Sequence, residues 1–255
     1  MRIAVVVKQV PTFTEMALDD DGRLIRAGLP LELNPYCRRA VSQAVELATA
    51  GGAPAGVTVM TLGPPSAEDV LRESIAWGTD RGAETDGLLI TDPAFAGSDT
   101  LATARALAAA LRLAGPFDLI LTGRNSVDAD TGQVPPELAE LLDLPFLSGV
   151  RTLQLDGRRL RARCEHDDGG VEAEVDLPAL LSCAERLIQP CKVDPAGRAA
   201  VPEERLRRLA ATDLGPGPWG QAGSPTRVGA VRVHEVSREG VVLGGALDDQ
   251  VRRAV

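Results

Sequence analysis

Aromatic side chains are scarce in this sequence, at 3% of its 255 residues. That removes the stacking platform a single-stranded nucleic-acid binder needs. Basic charge is short as well: 27 Lys and Arg stand against 36 Asp and Glu, a formal net charge of -9. With no basic stripe to neutralise phosphates, nucleic-acid binding is excluded as a function class. Histidine is limited to His166 and His234, too few for a histidine-based metal centre. The cysteines, Cys37, Cys164, Cys183 and Cys191, contain no Cys-x-x-Cys pair, and Cys183 and Cys191 lack companion ligands, so no metal site is expected. No run reaches the roughly 18 apolar residues of a membrane span. The opening MRIAVVVK is too short an apolar stretch for a secretory signal. The expectation is a cytoplasmic chain with reduced thiols and no membrane insertion.

Catalytic signatures are missing too. There is no phosphate-loop motif, no G-x-G-x-x-G dinucleotide fingerprint and no G-x-S-x-G elbow. Asp128 and Asp130 make a poor glycosidase pair, because nothing nearby suggests a sugar site. Without a base and nucleophile, no catalytic residue is assigned, and the chain is not expected to be an enzyme by itself.

What is present centres on Asp118–Pro145. An apolar run, Leu119–Leu121, leads into a turn-rich loop and then an apolar-periodic segment, Glu137–Leu142, stopped by Pro145. That order predicts strand, loop and helix. Such a loop, at the carboxyl end of a buried strand and entering a helix N-terminus, is where open α/β sheets bind anionic ligands. Further core strands are predicted at Ile3–Val7, Val57–Leu62 and Gly87–Thr91. Between them lie a hairpin over Met16–Ile25 turning at Asp21-Gly22, and a helix from Asn34-Pro35 to Gly51-Gly52. A second helix has a Ser66/Asp69 capping box, and a third is capped by Ser98 or Asp99. This cadence predicts an α/β fold with a mostly parallel sheet flanked by helices.

After Pro145 three short antiparallel strands are expected, over Val150–Leu155, Arg158–Glu165 and Gly170–Val175, then a core strand at Ala179–Ser182. Val201–Ala210 reads as a short charged helix, and Val228–Val233 with Gly240–Ala246 as a last strand pair or part of an arm. GPGPWGQAGSP around Trp219 has no period, and a long structureless arm in a compact domain is better explained by a partner it lies on. The expected organisation is an α/β nucleotide-binding core over 1–190 and a C-terminal arm over 191–255.

Chemistry points to Gly123–Gln133. Gly123 permits close backbone approach. N–H groups near Thr131 and Gly132 suit a phosphate, with the Thr131 hydroxyl beside them, while Asn125 and Gln133 suit ribose or base groups. Asp128 and Asp130 fit turn capping or ribose hydroxyls. A solvated Asx-rich loop remains the alternative at this stage. Lys8-Gln9, Asn34 and Thr61–Gly63 lie at other strand ends or helix starts, and in a parallel sheet those ends converge on one edge.

Several segments resemble the beta subunit of the electron transfer flavoproteins. They are VVVKQVP (Val5–Pro11), DGRLIRAGLP (Asp21–Pro30), Asn34-Pro35, VTVMTLGPPSAEDVLRESIAWGTDRG, DPAFAGSDTLATARALAAAL, DLILTGRNSVDADTGQV and GSPTRV (Gly223–Val228). The likeness is greatest to the branch with nitrogen-fixation-associated and electron-bifurcating members. It implies an adenine-nucleotide alpha-hydrolase-like fold and a heterodimer with a flavoprotein alpha subunit. It also implies electron shuttling from a dehydrogenase donor to a quinone reductase or other acceptor. FAD would lie mainly on the alpha subunit and AMP in this chain; bifurcating members hold a second FAD where AMP sits. Carried over as cofactor-binding are Ala4, Lys8, Asn34, Thr61, Gly63, Gly123, Asn125, Asp128, Thr131, Gly132, Gln133 and Val134, and Leu187 as partner recognition.

The sequence departs from the family pattern in two places. Members usually carry a leucine-asparagine-glutamate-proline-arginine run; here a recognition-loop remnant near 183–195 reads Leu187, Ile188, Gln189, Pro190, Cys191. Pro135 stands where close relatives tend to have glycine and removes one N–H donor; that weakens a second FAD here, while AMP has a single phosphate and needs fewer donors, and the choice between the two ligands stays open. A non-redox nucleotide-binding regulatory protein is the further alternative, but it leaves the long arm unexplained.

Overall fold

A computed structural model describes residues 1–12, 25, 28–50, 55–227, 229 and 240–254. Apart from Ile25 and Gly229, the hairpin expected over Met16–Ile25, Gly51-Gly52 and the strand expected at Val228–Val233 lie outside them. The all-apolar start forms β1 (Arg2–Val6), followed by β2 (Gln9–Pro11) and β3 (Leu31–Leu33). Then come α1 (Pro35–Ala50), β4 (Gly56–Leu62), α2 (Glu68–Thr79), β5 (Glu84–Ile90), α3 (Thr100–Ala114), β6 (Leu119–Gly123) and α4 (Val134–Leu142). β7 (Phe146–Asp156), β8 (Arg159–His166), β9 (Gly169–Asp176) and β10 (Ala179–Cys183) follow. The remainder carries α5 (Pro195–Ala199), β11 (Leu206–Leu209), α6 (Gly220–Gly223) and α7 (Leu247–Ala254).

Among the described residues nine strands form one sheet, in the order β11-β5-β4-β1-β6-β10-β7-β8-β9; β2 and β3 pair separately and antiparallel. From β11 to β7 every neighbour is parallel, and β8 and β9 are antiparallel additions. This is the α/β architecture the strand–helix cadence predicts. After β1 the chain moves outward through β4 and β5, then crosses back to place β6 on the other side of β1. The sheet therefore has a topological switch point between β1 and β6, where open α/β sheets leave a crevice at the carboxyl ends.

β1 shows why the core has two halves. Strand alternation sends Ile3 and Val5 to one face and Ala4 and Val6 to the other. The first pair packs with Ala40, Val41 and Ala44 of α1 and Leu71 and Ile75 of α2. The second packs with Leu107 and Leu111 of α3 and Leu138 of α4. β7 slips register between Val150 and Thr152. Beyond that bulge the antiparallel strands add Leu153, Leu155, Leu160 and Val175 to the α1-side core.

Two local expectations need correction. No side chain caps α2; Pro65–Ala67 form a 3-10 turn, and the Ser66 hydroxyl donates to Gln9 Oε1 instead. Two consecutive prolines fix the entry so that Ser66 falls inside the turn rather than before the helix. Val201–Ala210 is not a helix: Glu203–Arg205 make one 3-10 turn, and Leu206–Leu209 pair with β5 at the sheet edge. Leu206 and Leu209 are buried and Arg207 and Arg208 exposed, a spacing that imitates a helical period. GPGPWGQAGSP touches its own core. Trp219 packs edge-on against Phe95, Arg105 donates to the Gly223 carbonyl, and Asp99 accepts from the Thr226 amide and hydroxyl.

Residues 1–16 and 26–227 form one compact unit, so 191–227 belong with the sheet. Residues 17–25 and 228–255 form a second. Its helix α7 begins with Asp248 and Asp249 and ends with Arg252 and Arg253, the charge order that complements a helix dipole, and leaves Leu247 and Val251 exposed.

Candidate functional site

The carboxyl ends at the switch point carry most of the residues singled out in the sequence. β1 runs out into Lys8, and β6 ends at Gly123, where the loop to α4 begins. Gly123 lies against the first turn of α1. A Cβ there would stand 2.9 Å from the Cys37 amide nitrogen and 2.9 Å from Tyr36 Cβ. Glycine is required for that contact, as close backbone approach predicts.

Two side chains hold the loop. Lys8 Nζ reaches Asp128 Oδ1 at 2.7 Å and Ser126 Oγ at 3.1 Å. The Asp128 side chain is 1% exposed and that of Lys8 40%, so the ammonium spans from a dry anchor to the cleft surface. Asn34 is fully buried. Its amide donates to the Asn125 carbonyl at 2.8 Å and to Cys37 Sγ at 3.2 Å, and its oxygen accepts from the Val127 amide at 3.3 Å. Pro35 opens α1 as expected, but the Asn34 side chain is turned to the loop.

The loop itself is set by backbone turns. Asp130 sits at φ 49 and Gly132 at φ 62. The Asp130 amide donates to the Ser126 carbonyl at 2.7 Å, and Asn125 Nδ2 donates to Asp130 Oδ1. A Cβ on Gly132 would meet Asn125 Oδ1 at 2.9 Å. Thr131 and Gln133 are exposed, and α4 starts at Val134, earlier than the expected Glu137. Pro135 is buried in the first helical turn, where the missing N–H interrupts no intrahelical bond.

Glu137 follows inside α4. Thr100 Oγ1 lies 3.0 Å from Glu137 Oε1 and 3.1 Å from Gln133 Oε1, and its single proton serves one of them at a time. Burial pushes the Glu137 carboxyl above its ordinary value; the Thr100 hydrogen bond opposes this and the charge of Asp99 adds to it.

Thr61, near the end of β4, is fully buried, and its hydroxyl has no hydrogen-bond partner among the described residues. Gly63 donates to the Ile90 carbonyl, and a Cβ there would stand a tight 3.0 Å from Ala67 Cβ. Ala4 is fully buried mid-strand, in register with Thr58 and Ile120. Val6, on the same face, is the residue at the strand end. Leu187 is half-buried against the α1-side core.

Sequence reasoning missed Ser126, a second ligand of Lys8, and Tyr36, the chain's single tyrosine. The Tyr36 phenol is pushed up by burial, by the charge of Glu185 and by a hydrogen bond to it. Its position two residues after Asn34 was the available signal. Burial also pushes up the thiols of Cys37 and Cys183, and that of Cys191 to about 12. Thiols held protonated in this way are packing groups, not nucleophiles. Among the described residues no His, Cys, Asp and Glu cluster could hold a metal. The arrangement suits binding: one ammonium, a helix N-terminus, and polar groups for hydroxyls.

Residues 21–208 match the model of the electron transfer flavoprotein domain. The electron transfer flavoprotein subunit beta of Thermoanaerobacterium thermosaccharolyticum is 36% identical over 259 aligned positions, covering 100% of this chain and 96% of that one. The protein of the same description from Clostridium acetobutylicum is 36% identical over 246, covering 95% and 92%. Protein FixA of Azorhizobium caulinodans is 38% identical over 194, covering 72% and 66%.

Proposed function

The chain belongs to the electron transfer flavoprotein family as a beta subunit, a carrier component rather than an enzyme, and from that premise we propose that its switch-point cleft holds AMP as a structural nucleotide. The observation that carries this reading is the convergence of Lys8, Asn34 and the 123–134 loop at the carboxyl ends of β1 and β6. Two features of the chain fit an adenine nucleotide. Gly132 leaves open the space a Cβ would fill beside Asn125, and Thr61 presents a buried hydroxyl with no hydrogen-bond partner among the described residues.

In this reading the phosphate sits at the N-terminus of α4, against the amides of Gly132, Gln133 and Val134, with Lys8 as counter-charge. Asp128 holds Lys8 in place and Asn34 fixes the height of the loop, while Asn125, Thr131 and Gln133 take ribose and base groups. FAD, mainly on an alpha subunit, supplies the redox chemistry when bound. This chain supplies the wall that positions it and keeps water out.

The donor is a dehydrogenase and the acceptor a quinone reductase or another redox protein, met in the cytoplasm. Leu187 and residues 191–255 contribute to partner contacts, with Ile188, Gln189 and Cys191 altering the choice of donor. Nucleotides released by denaturing the copurified heterodimer decide between ligands. One AMP and one FAD per heterodimer are expected. Two FAD and no AMP would replace this reading with a second flavin at the same loop, as in the nitrogen-fixation-associated and bifurcating branch.

A further inference from the structure

A second charged cavity lies on the antiparallel strands, away from the 123–134 loop. It is an open pocket of about 470 Å³ lined by Arg151, Arg163 and Arg186 with His166, Glu165 and Asp167. That volume suits a small ligand or the charged end of a larger one.

Three features bear on these guanidinium groups. First, the β7–β8 ladder slips between Val150 and Thr152, so Arg151 is the bulged residue. A bulge bends its strand and re-aims a side chain. Arg151 is then tethered by Glu165, Nη1 to Oε1 at 3.1 Å. Second, the Arg163 guanidinium lies across Gly170. A Cβ there would be 2.5 Å from Nε and 3.0 Å from Nη2, so any other residue would displace it. Third, neither Arg163 nor Arg186 has an ion pair or hydrogen bond to its guanidinium among the described residues. Arg151, Arg158, Arg159 and Arg161, in the same strands and turns, are all paired.

The electrostatics sharpen the point. The chain carries a formal charge of -9 and repels anions overall. Here two unpaired guanidiniums and one tethered guanidinium face two carboxylates, one of them already engaged by Arg151. A planar guanidinium presents parallel N–H donors that match a carboxylate or phosphate. We propose that this cavity is an oxyanion site, in which Arg163 and Arg186 grip a phosphate or carboxylate group and Arg151 forms the third wall. The group belongs either to a small metabolite or to an acidic side chain of the alpha subunit.

Calorimetric titration of inorganic phosphate tests the site, in the copurified heterodimer and in the full chain alone. Saturable binding is expected, weakened about tenfold or more by Arg163→Gln and by Arg186→Gln. Arg207→Gln, an exposed edge-strand change, should leave it intact. Binding to the heterodimer assigns the site to a small anion. Binding to the chain alone, blocked in the heterodimer and lost in the same two variants, assigns it to a partner carboxylate. The proposal fails if neither form binds phosphate. It fails equally if binding survives both arginine variants, or is lost only in Lys8→Ala, which would place the phosphate at the nucleotide loop. Unchanged circular dichroism of the glutamine variants keeps these outcomes readable.

Discussion

Replacing Asn34 with alanine tests whether one buried amide sets the height of the nucleotide loop. Asn34 is fully buried and bonds both the Asn125 carbonyl and the Val127 amide, 91 and 93 residues away in sequence. Alanine fills less space and satisfies neither group. Each orphaned buried group costs about 1–3 kcal/mol. Both bonds lie in a part-buried region where water recovers some of that loss, so about 2–3 kcal/mol is expected in total. For a chain of this size that lowers the melting midpoint by about 4–12 °C. The loop should also release its nucleotide, because the amides at the start of α4 are no longer held at one distance from Lys8. The assay is thermal unfolding of the heterodimer, paired with nucleotide released per mole from folded protein. A fall in stability with full nucleotide occupancy would refute the assignment of this loop as the cradle. Unchanged stability would refute the hydrogen-bond account itself.

Other perturbations follow from the same geometry. Gly123→Ala forces β6 and α1 apart at the Cys37 amide, which is backbone and cannot turn aside; a loss of about 1–3 kcal/mol in denaturant unfolding is expected. Glu137→Gln reads the raised carboxyl. A raised folded value means that stabilisation is greatest below the unfolded pKa and is lost as pH rises through the folded one. The variant should flatten that decline and be at least as stable as the parent at neutral pH, as unfolding at several pH values would show. Asp99→Asn acts in the opposite sense. Burial opposes ionisation of Asp99, but hydrogen bonds from the Ala102 amide and from Thr226 and Ser224 outweigh it and lower its value. The stabilisation is present above the unfolded pKa and lost as pH falls through the folded one, so the asparagine variant should lose acid-range pH dependence and expose Gly215–Thr226 to limited proteolysis. All four cysteines are free and buried, so alkylation by iodoacetamide should follow global unfolding; rapid labelling of native protein would contradict their burial.

Much of this fold was legible because its central strands are buried on both faces and read as continuous apolar runs, as at Ile3–Val7 and Leu119–Leu121. The cap of α3 was legible to within one residue, as Ser98 or Asp99, because a cap is a local matter, and Asp99 is the one that accepts from the Ala102 amide. What stayed hidden depends on distance. The identity of the switch point requires the strand order, and no local pattern places β6 beside β1. β11 imitated a helix because only its first and last residues are buried. Asn34 carried the right residue type for a helix start, yet its side chain serves a loop about ninety residues on.

Amide hydrogen exchange of the heterodimer, stripped of nucleotide and then supplied with AMP, tests the central assignment most directly. Slowed exchange at Gly132, Gln133 and Val134, with no change across Arg151–Gly170, is the expected result. Protection confined to other segments, with the 123–134 loop exchanging alike in both states, would contradict it.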